Sequence, residues 1–287
     1  MKLLEINNVR KYFSTSRHFL GKAHHLTRAV DGVDMTIDQG VSLGLVGESG
    51  CGKTTLARIA MNMIKPDTGD VFFEGQNMGH LPRMQRRLLP SLMQMVFQDP
   101  FSSLDPRFSI RNILKEPMAF SSLTRGEQEQ KMYELLAAVG FSEHILERFP
   151  YEFSGGERQR IAIARALMMQ PKLLILDEAV SSLDVLVQEQ ILHLLSLLKE
   201  RFGVTYFFIS HNLRVVKKLC PKIAVMYQGK IVEMGPAEIL FNNPLHPYTK
   251  RLLLAAISYR AQNVVAEQEV LDEKRLCEKE KGHFVLE

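Results

Sequence analysis

Cysteine is scarce: the 287-residue chain has three, Cys51, Cys220 and Cys277, an odd number with no paired spacing. That excludes a disulfide framework or a paired-cysteine zinc site and fits a reducing compartment. Long apolar runs are missing as well, and none reaches the roughly 20 residues a membrane-spanning helix needs. The opening MKLLEINNVRKYF lacks the apolar core of a secretory leader. A soluble, cytoplasmic chain is the expectation. Charge of one sign is not in excess, since 36 basic against 32 acidic residues leave +4. That is too little to indicate a nucleic-acid partner. Basic residues crowd only at Arg83-Met84-Gln85-Arg86-Arg87, a composition that suits a solvated helix face. Internal repeats and low-complexity tracts are also absent. With 46% hydrophobic and 24% charged residues, the chain has material for a substantial core.

Hydrophobic patterning predicts strands at Leu3–Val9 and Ala29–Ile37, with the polar segment Ser14–Arg28 as a loop between them. Val41–Val46 is a compact apolar run that fits a buried strand. A glycine-rich turn follows, then a helix from Thr54 to about Ile64, closed by Lys65-Pro66. Val71-Phe72-Phe73 with Glu74-Gly75 reads as half a hairpin. From about 100 to 169 the pattern turns helical, most clearly at Gln128–Val139 and Ile161–Met169. Strands return at Leu173–Leu176, Tyr206–Ile209 and Ile223–Tyr227, with a helix over Leu186–Arg201 and a hairpin turn at Gln228-Gly229. The organisation is an α/β core, residues 1–243, interrupted by a helical insertion. A C-terminal extension, 244–287, has a helix near Lys250–Ile257 and a charged end read as a solvated amphipathic or frayed helix over Glu267–Lys281.

Between the predicted strand and helix stands Gly47-Glu48-Ser49-Gly50-Cys51-Gly52-Lys53-Thr54-Thr55, which fits G-x-x-x-x-G-K-[ST]. Glycines let the backbone curl until several N–H groups converge on phosphate oxygens. Lys53 adds a point charge for the β- and γ-phosphates, and the Thr54 hydroxyl suits Mg²⁺. Cys51 reads as filler in the loop. An incidental glycine turn would not come framed by a strand and a helix. A metal also needs a carboxylate, and Leu173-Leu174-Ile175-Leu176-Asp177-Glu178 supplies an apolar strand ending in two acids. Burying unpaired carboxylates is costly. Asp177 is therefore read as the Mg²⁺ partner and Glu178 as the group that polarises an attacking water.

A second anion-binding pattern lies at Phe153-Ser154-Gly155-Gly156-Glu157-Arg158-Gln159-Arg160, a hydroxyl and two bare amides opening a helix. With Gln98 in Val96-Phe97-Gln98-Asp99-Pro100, Ser181-Ser182-Leu183-Asp184, and His211 after a strand, six motifs stand in one order. In that order the chain resembles the nucleotide-binding subunit of an ATP-binding cassette (ABC) transporter. The resemblance implies an α/β phosphate-loop NTPase with a RecA-like core, an antiparallel β-subdomain and a helical signature subdomain. It also implies that two such domains pack head to tail, so that Ser154, Gly155, Gly156 and Glu157 cover ATP held on the other chain's loop. Ser154 can equally cap its own helix, a role that leaves the double glycine unexplained. By the same resemblance Gln98 senses γ-phosphate and Mg²⁺, His211 contacts γ-phosphate and orients water, and Asp184 couples the two sites. An aromatic near the N-terminus stacks on adenine. Phe13 fits by its spacing, Tyr12 is second, and a plain core aromatic is the ordinary reading of either. The commonest signature is Leu-Ser-Gly-Gly-Gln, from which Phe153 and Glu157 depart.

The segment Phe13–Arg28 and the tail Asn243-Pro244-Leu245-His246-Pro247-Tyr248-Thr249 are similar to the peptide and nickel importer group. Ile113–Met118 and Asp177–Ser181 are similar to the second ATPase of nickel-type systems. This resemblance implies ATP and Mg²⁺ as ligands and two membrane-spanning permease subunits. It further implies a second, different ATPase chain, an extracytoplasmic substrate-binding protein acting indirectly, and a place on the cytoplasmic face of the cell membrane. Many members of the group hold an iron–sulfur cluster in a C-terminal cysteine group. Cys277 alone cannot supply four thiolates, so no cluster is expected. The alternative is a soluble ABC protein of a cytoplasmic complex, such as a phosphonate-lyase-associated ATPase, which shares every ATP motif.

Overall fold

In the computed structural model, which describes residues 1–16, 24–98, 103–121, 123–257, 276–280 and 282–286, the backbone divides into two units. One comprises Met1–Pro82 and Phe208–Glu287, the other Arg83–Phe207. The strands in chain order are β1 Lys2–Ser16, β2 His24–Asp38, β3 Leu43–Val46, β4 Thr68–Phe73, β5 Gln76–Asn77 and β6 Met93–Val96. They continue as β7 Leu173–Asp177, β8 Thr205–Ser210, β9 Lys222–Tyr227, β10 Lys230–Pro236, β11 Leu276–Glu280 and β12 His283–Leu286. The helices used below are α1 Lys53–Ala60, α2 Arg125–Ala138, α3 Gly155–Leu167, α4 Val185–Phe202, α5 Leu213–Leu219 and α6 Pro247–Ile257.

In the first unit, β2-β1-β4-β5 form an antiparallel sheet. One face is apolar: Leu4, Ile6, Val33, Met35 and Val71 are buried. Of the segment expected to be a loop, Ser14–Arg28, residues 14–16 and 24–28 are strand, and 17–23 lie outside the described residues. β1 runs on to Ser16 and β2 starts at His24, with Phe13 opposite Thr27 and Ser14 opposite Leu26. Leu26 is 53% exposed. Where neither face is buried, as at Phe13, Ser14, Leu26 and Thr27, no apolar alternation marks the strands, which is why the segment reads as loop.

The same unit holds the run β11-β12-β10-β9-β3. β3 and β9 pair in parallel, Leu43 opposite Lys222 through Val46 opposite Val225, and the other pairs are antiparallel. β9 and β10 meet at Gln228-Gly229, both with positive φ (47° and 83°). That is the type I′ geometry that matches strand twist. The tail is a second correction. In place of the end of a solvated helix, Leu276–Glu280 and His283–Leu286 form a hairpin against β10, with Val285 and Leu286 buried. Docking on an open sheet edge outweighs the helix-favouring Glu and Lys of this segment. The rest of the expected helix, 267–275 and 281, lies outside the described residues.

In the second unit β6 and β7 pair in parallel, Met93 opposite Leu173 through Val96 opposite Leu176. β7 is buried at all five positions, and β6 is a strand that patterning alone had not singled out. Helix α2 starts at a capping box, in which Thr124 accepts from the Glu127 amide and the Glu127 carboxylate returns to Thr124. The chain leaves this unit within β8.

Candidate functional site

The loop from Gly47 to Thr54 joins β3 to α1, and neighbours hold its shape. A Cβ on Gly47 would lie 2.2 Å from the Met226 carbonyl oxygen, and one on Gly52 1.9 Å from that of Ala29. Gly52 also has φ 113°, so no other residue fits there. Lys53 is 4% exposed, and its Nζ donates to the carbonyls of Gly47 and Glu48, both at 2.8 Å. The ammonium is thus a positive charge held within its own glycine-rich loop. The N-cap of α1 is Gly52, so no side chain accepts from the N–H groups of its first turn. A helix start without a capping side chain suits an anion. The Cys51 thiol is pushed up in pKa by burial, which the nearby Lys53 ammonium opposes. It is accordingly a poor nucleophile, in keeping with its reading as filler.

Other predicted residues of this unit lie on or beside strands. His211 follows β8 between Ser210, whose Oγ accepts from the Asn212 amide, and Asn212, whose side chain caps α5 through the Arg214 amide. His211 itself is exposed. Of the two candidate aromatics, Tyr12 is committed: its hydroxyl donates to Asp31 at 2.6 Å, and burial with that bond raises its pKa. Phe13 is 39% exposed, with the Lys11 ammonium 5.8 Å from its ring.

In the second unit Asp177 ends β7 and is 5% exposed. Glu178 follows at φ 50°, left-handed backbone that costs a non-glycine residue about 1–2 kcal/mol. Its Oε2 accepts from Gln98 Nε2 at 3.0 Å. At the signature segment Ser154 caps α3. Its Oγ accepts from the Glu157 amide, and the Glu157 carboxylate accepts from the Ser154 amide at 2.8 Å and hydroxyl at 2.7 Å. Those bonds, the backbone one first, hold the Glu157 carboxyl below its usual pKa. The negative charge of Glu157 is thus engaged with its own helix start. Gly156 has a local explanation that the cap could not give it: a Cβ there would lie 2.4 Å from Val187 Cγ1. Val187 in turn donates its amide to Asp184 Oδ1, which caps α4.

Sequence reasoning thus identified residues that fall into three groups: the Gly47–Thr55 cradle, the Gln98–Glu178 pair, and the Ser154–Glu157 box linked to Asp184 through Val187. It missed Tyr248, whose hydroxyl accepts from the Glu48 amide at 3.0 Å. The segment Pro244-Leu245-His246-Pro247-Tyr248 entered the sequence reading only through its likeness to the importer group.

A family model described as ABC transporter matches residues 30–181, and one described as the C-terminal region of oligopeptide/dipeptide transporters matches 232–278. The oligopeptide transport ATP-binding protein AppF of Bacillus subtilis is 43% identical over 94% of this chain and 82% of its own. The di/tripeptide transport ATP-binding protein DppF of Pseudomonas aeruginosa is 44% identical over 88% and 78%. Among solved structures, the ATP-binding cassette MJ0796 in a dimeric post-hydrolysis state with ADP and Pi shares 25% identity at a TM-score of 0.70. That likeness covers 82% of this chain and 99% of that one.

Proposed function

The chain belongs to the ABC transporter family as an ATP-binding cassette, and on that premise we propose that it drives import of peptides by hydrolysing ATP in a head-to-tail dimer. The buried Lys53 ammonium resting on two carbonyls of a glycine-formed loop carries this reading. Lys53 and the loop amides bind the phosphates, and Phe13 stacks on the base. Thr54, Asp177 and Gln98 offer hydroxyl, carboxylate and amide oxygens, donors that suit a hard cation such as Mg²⁺. When bound, Mg²⁺ supplies charge neutralisation at the β- and γ-phosphates. Glu178 polarises the attacking water, Gln98 fixes the Glu178 carboxylate, and His211 orients that water. Ser154 and Gly156 close over the nucleotide of a second ATPase chain, and Asp184 links the two sites.

Residues 1–243 then form the cassette and 244–287 the extension. Two permease subunits and a different second ATPase complete the assembly on the cytoplasmic face of the membrane, and an extracytoplasmic binding protein delivers cargo. Among the described residues no helix is long and apolar enough to span a membrane. The match of residues 232–278 to a peptide-transporter region favours peptide cargo over a lyase-associated complex. The named relatives support peptides over nickel chelates. The test is uptake of labelled di- and oligopeptides and of nickel chelates by cells lacking this chain. Loss of peptide uptake is expected. Loss of nickel uptake alone, or of neither, would contradict the reading.

A further inference from the structure

One fully buried carboxylate of the first unit serves neither phosphate nor metal in the reading above. Glu233 lies on β10 with no exposure. Its carboxylate accepts from the amides of Leu245 and His246, both at 2.9 Å, and pairs with His283 Nε2 at 2.7 Å. A carboxylate surrounded by three donors satisfies the cost of its burial and fixes what it holds. Here it fixes the turn into α6 and the last strand of the chain. His246 Nδ1 then accepts from the Tyr248 amide at 3.1 Å. Tyr248, 2% exposed, is thereby aimed at the phosphate loop, where its hydroxyl accepts from the Glu48 amide at 3.0 Å.

The Tyr248 ring stacks on Tyr227, centroids 4.2 Å apart. Tyr227 ends β9, and two residues later the Gly229 amide donates to the Cys51 carbonyl at 3.0 Å. The loop is therefore gripped at Glu48 by the extension and at Cys51 by the adjoining hairpin turn. Burial raises the pKa of the Tyr248 hydroxyl, so it stays neutral near physiological pH.

We propose that Tyr248 is a positioning residue for ATP binding: its hydroxyl holds the Glu48 amide and with it the curl of the phosphate loop, and Glu233 with His283 holds Tyr248 in place. The extension is then part of the ATP site's scaffold and not an appendage to it. This rests on Gly47–Thr54 being the nucleotide cradle.

The test is Tyr248→Phe in the full chain, which keeps the ring and its stack and removes only the hydroxyl. KM for ATP should rise about three- to tenfold, the worth of one ordinary hydrogen bond. Turnover at saturating ATP should stay within about twofold, because bound nucleotide restores the loop. A merely structural role would lower the folded fraction, hence kcat per mole, and leave KM where it was. The ¹⁵N-resolved amide of Glu48 should move upfield in the variant even before nucleotide is added. Unchanged KM, or an unmoved Glu48 amide, overturns the proposal. Lys53→Ala separates the two ideas. If it binds ATP as the native chain does, the cradle itself is wrong. If it loses ATP while Tyr248→Phe does not, only the tie to the extension fails.

Discussion

Gln98 and Glu178 meet in a 3.0 Å hydrogen bond although the chain separates them by 80 residues. Parallel pairing explains the meeting. Val96 of β6 lies opposite Leu176 of β7, and each member of the pair stands two residues beyond that register. Glu178 additionally holds a left-handed backbone, φ 50°, that few glutamates adopt. Unfavourable backbone retained at a strand end points to use of the side chain. Glu178→Gln should therefore bind ATP normally and hydrolyse it roughly 10²–10⁴-fold more slowly, the usual worth of a general base. Single-turnover hydrolysis beside equilibrium binding measures both. Near-native hydrolysis would remove Glu178 from the role.

Lys53 is the buried cation of the loop. Lys53→Ala should weaken ATP binding roughly 10- to 100-fold, the range of a charged hydrogen bond or two. Isothermal titration with ATP reads this directly, and an unchanged dissociation constant would contradict the cradle.

Gly156 packs against α4. Gly156→Ala places a Cβ where Val187 Cγ1 already stands, 2.4 Å away. Overpacking of this kind costs about 1–3 kcal/mol. Val187→Ala in the same chain should recover most of that loss in a denaturant titration. Equal loss with and without Val187→Ala would show that the contact is not the cause.

Acid should loosen the start of α3. The Glu157 carboxyl has a depressed pKa in the folded chain, chiefly through the Ser154 amide. A depressed carboxyl contributes stability that is present above its unfolded value and lost as pH falls through the folded one. Between neutral pH and about pH 3 the native chain should thus lose more stability than Glu157→Gln, which keeps a capping side chain but does not titrate. Matching thermal midpoints of the two proteins across that range would contradict it.

Contiguous apolar runs were legible because β7 and β8 are buried on both faces, and the loop was legible because its glycines and lysine are locally dictated. Ser154 to Glu157 likewise spells out a capping box in four residues. Tertiary pairing without an apolar face was not legible. The β1–β2 ribbon exposes Phe13 and Thr27 on one side and Ser14 and Leu26 on the other, and the terminal hairpin is defined by Glu233 meeting His283 across 50 residues. A glutamate inside Ile231-Val232-Glu233-Met234 was the available signal, since a charge in a buried strand demands partners. The location of those partners depends on the fold.

Enclosure of ATP between two chains is tested most directly by Ser154→Arg in this chain alone, assembled with its partner ATPase and permeases. Azido-ATP crosslinking with vanadate trapping then reads each chain's nucleotide separately. Trapping should vanish on the partner's loop while this chain's own loop still labels. Loss on this chain's own loop with the partner unaffected would contradict the shared site.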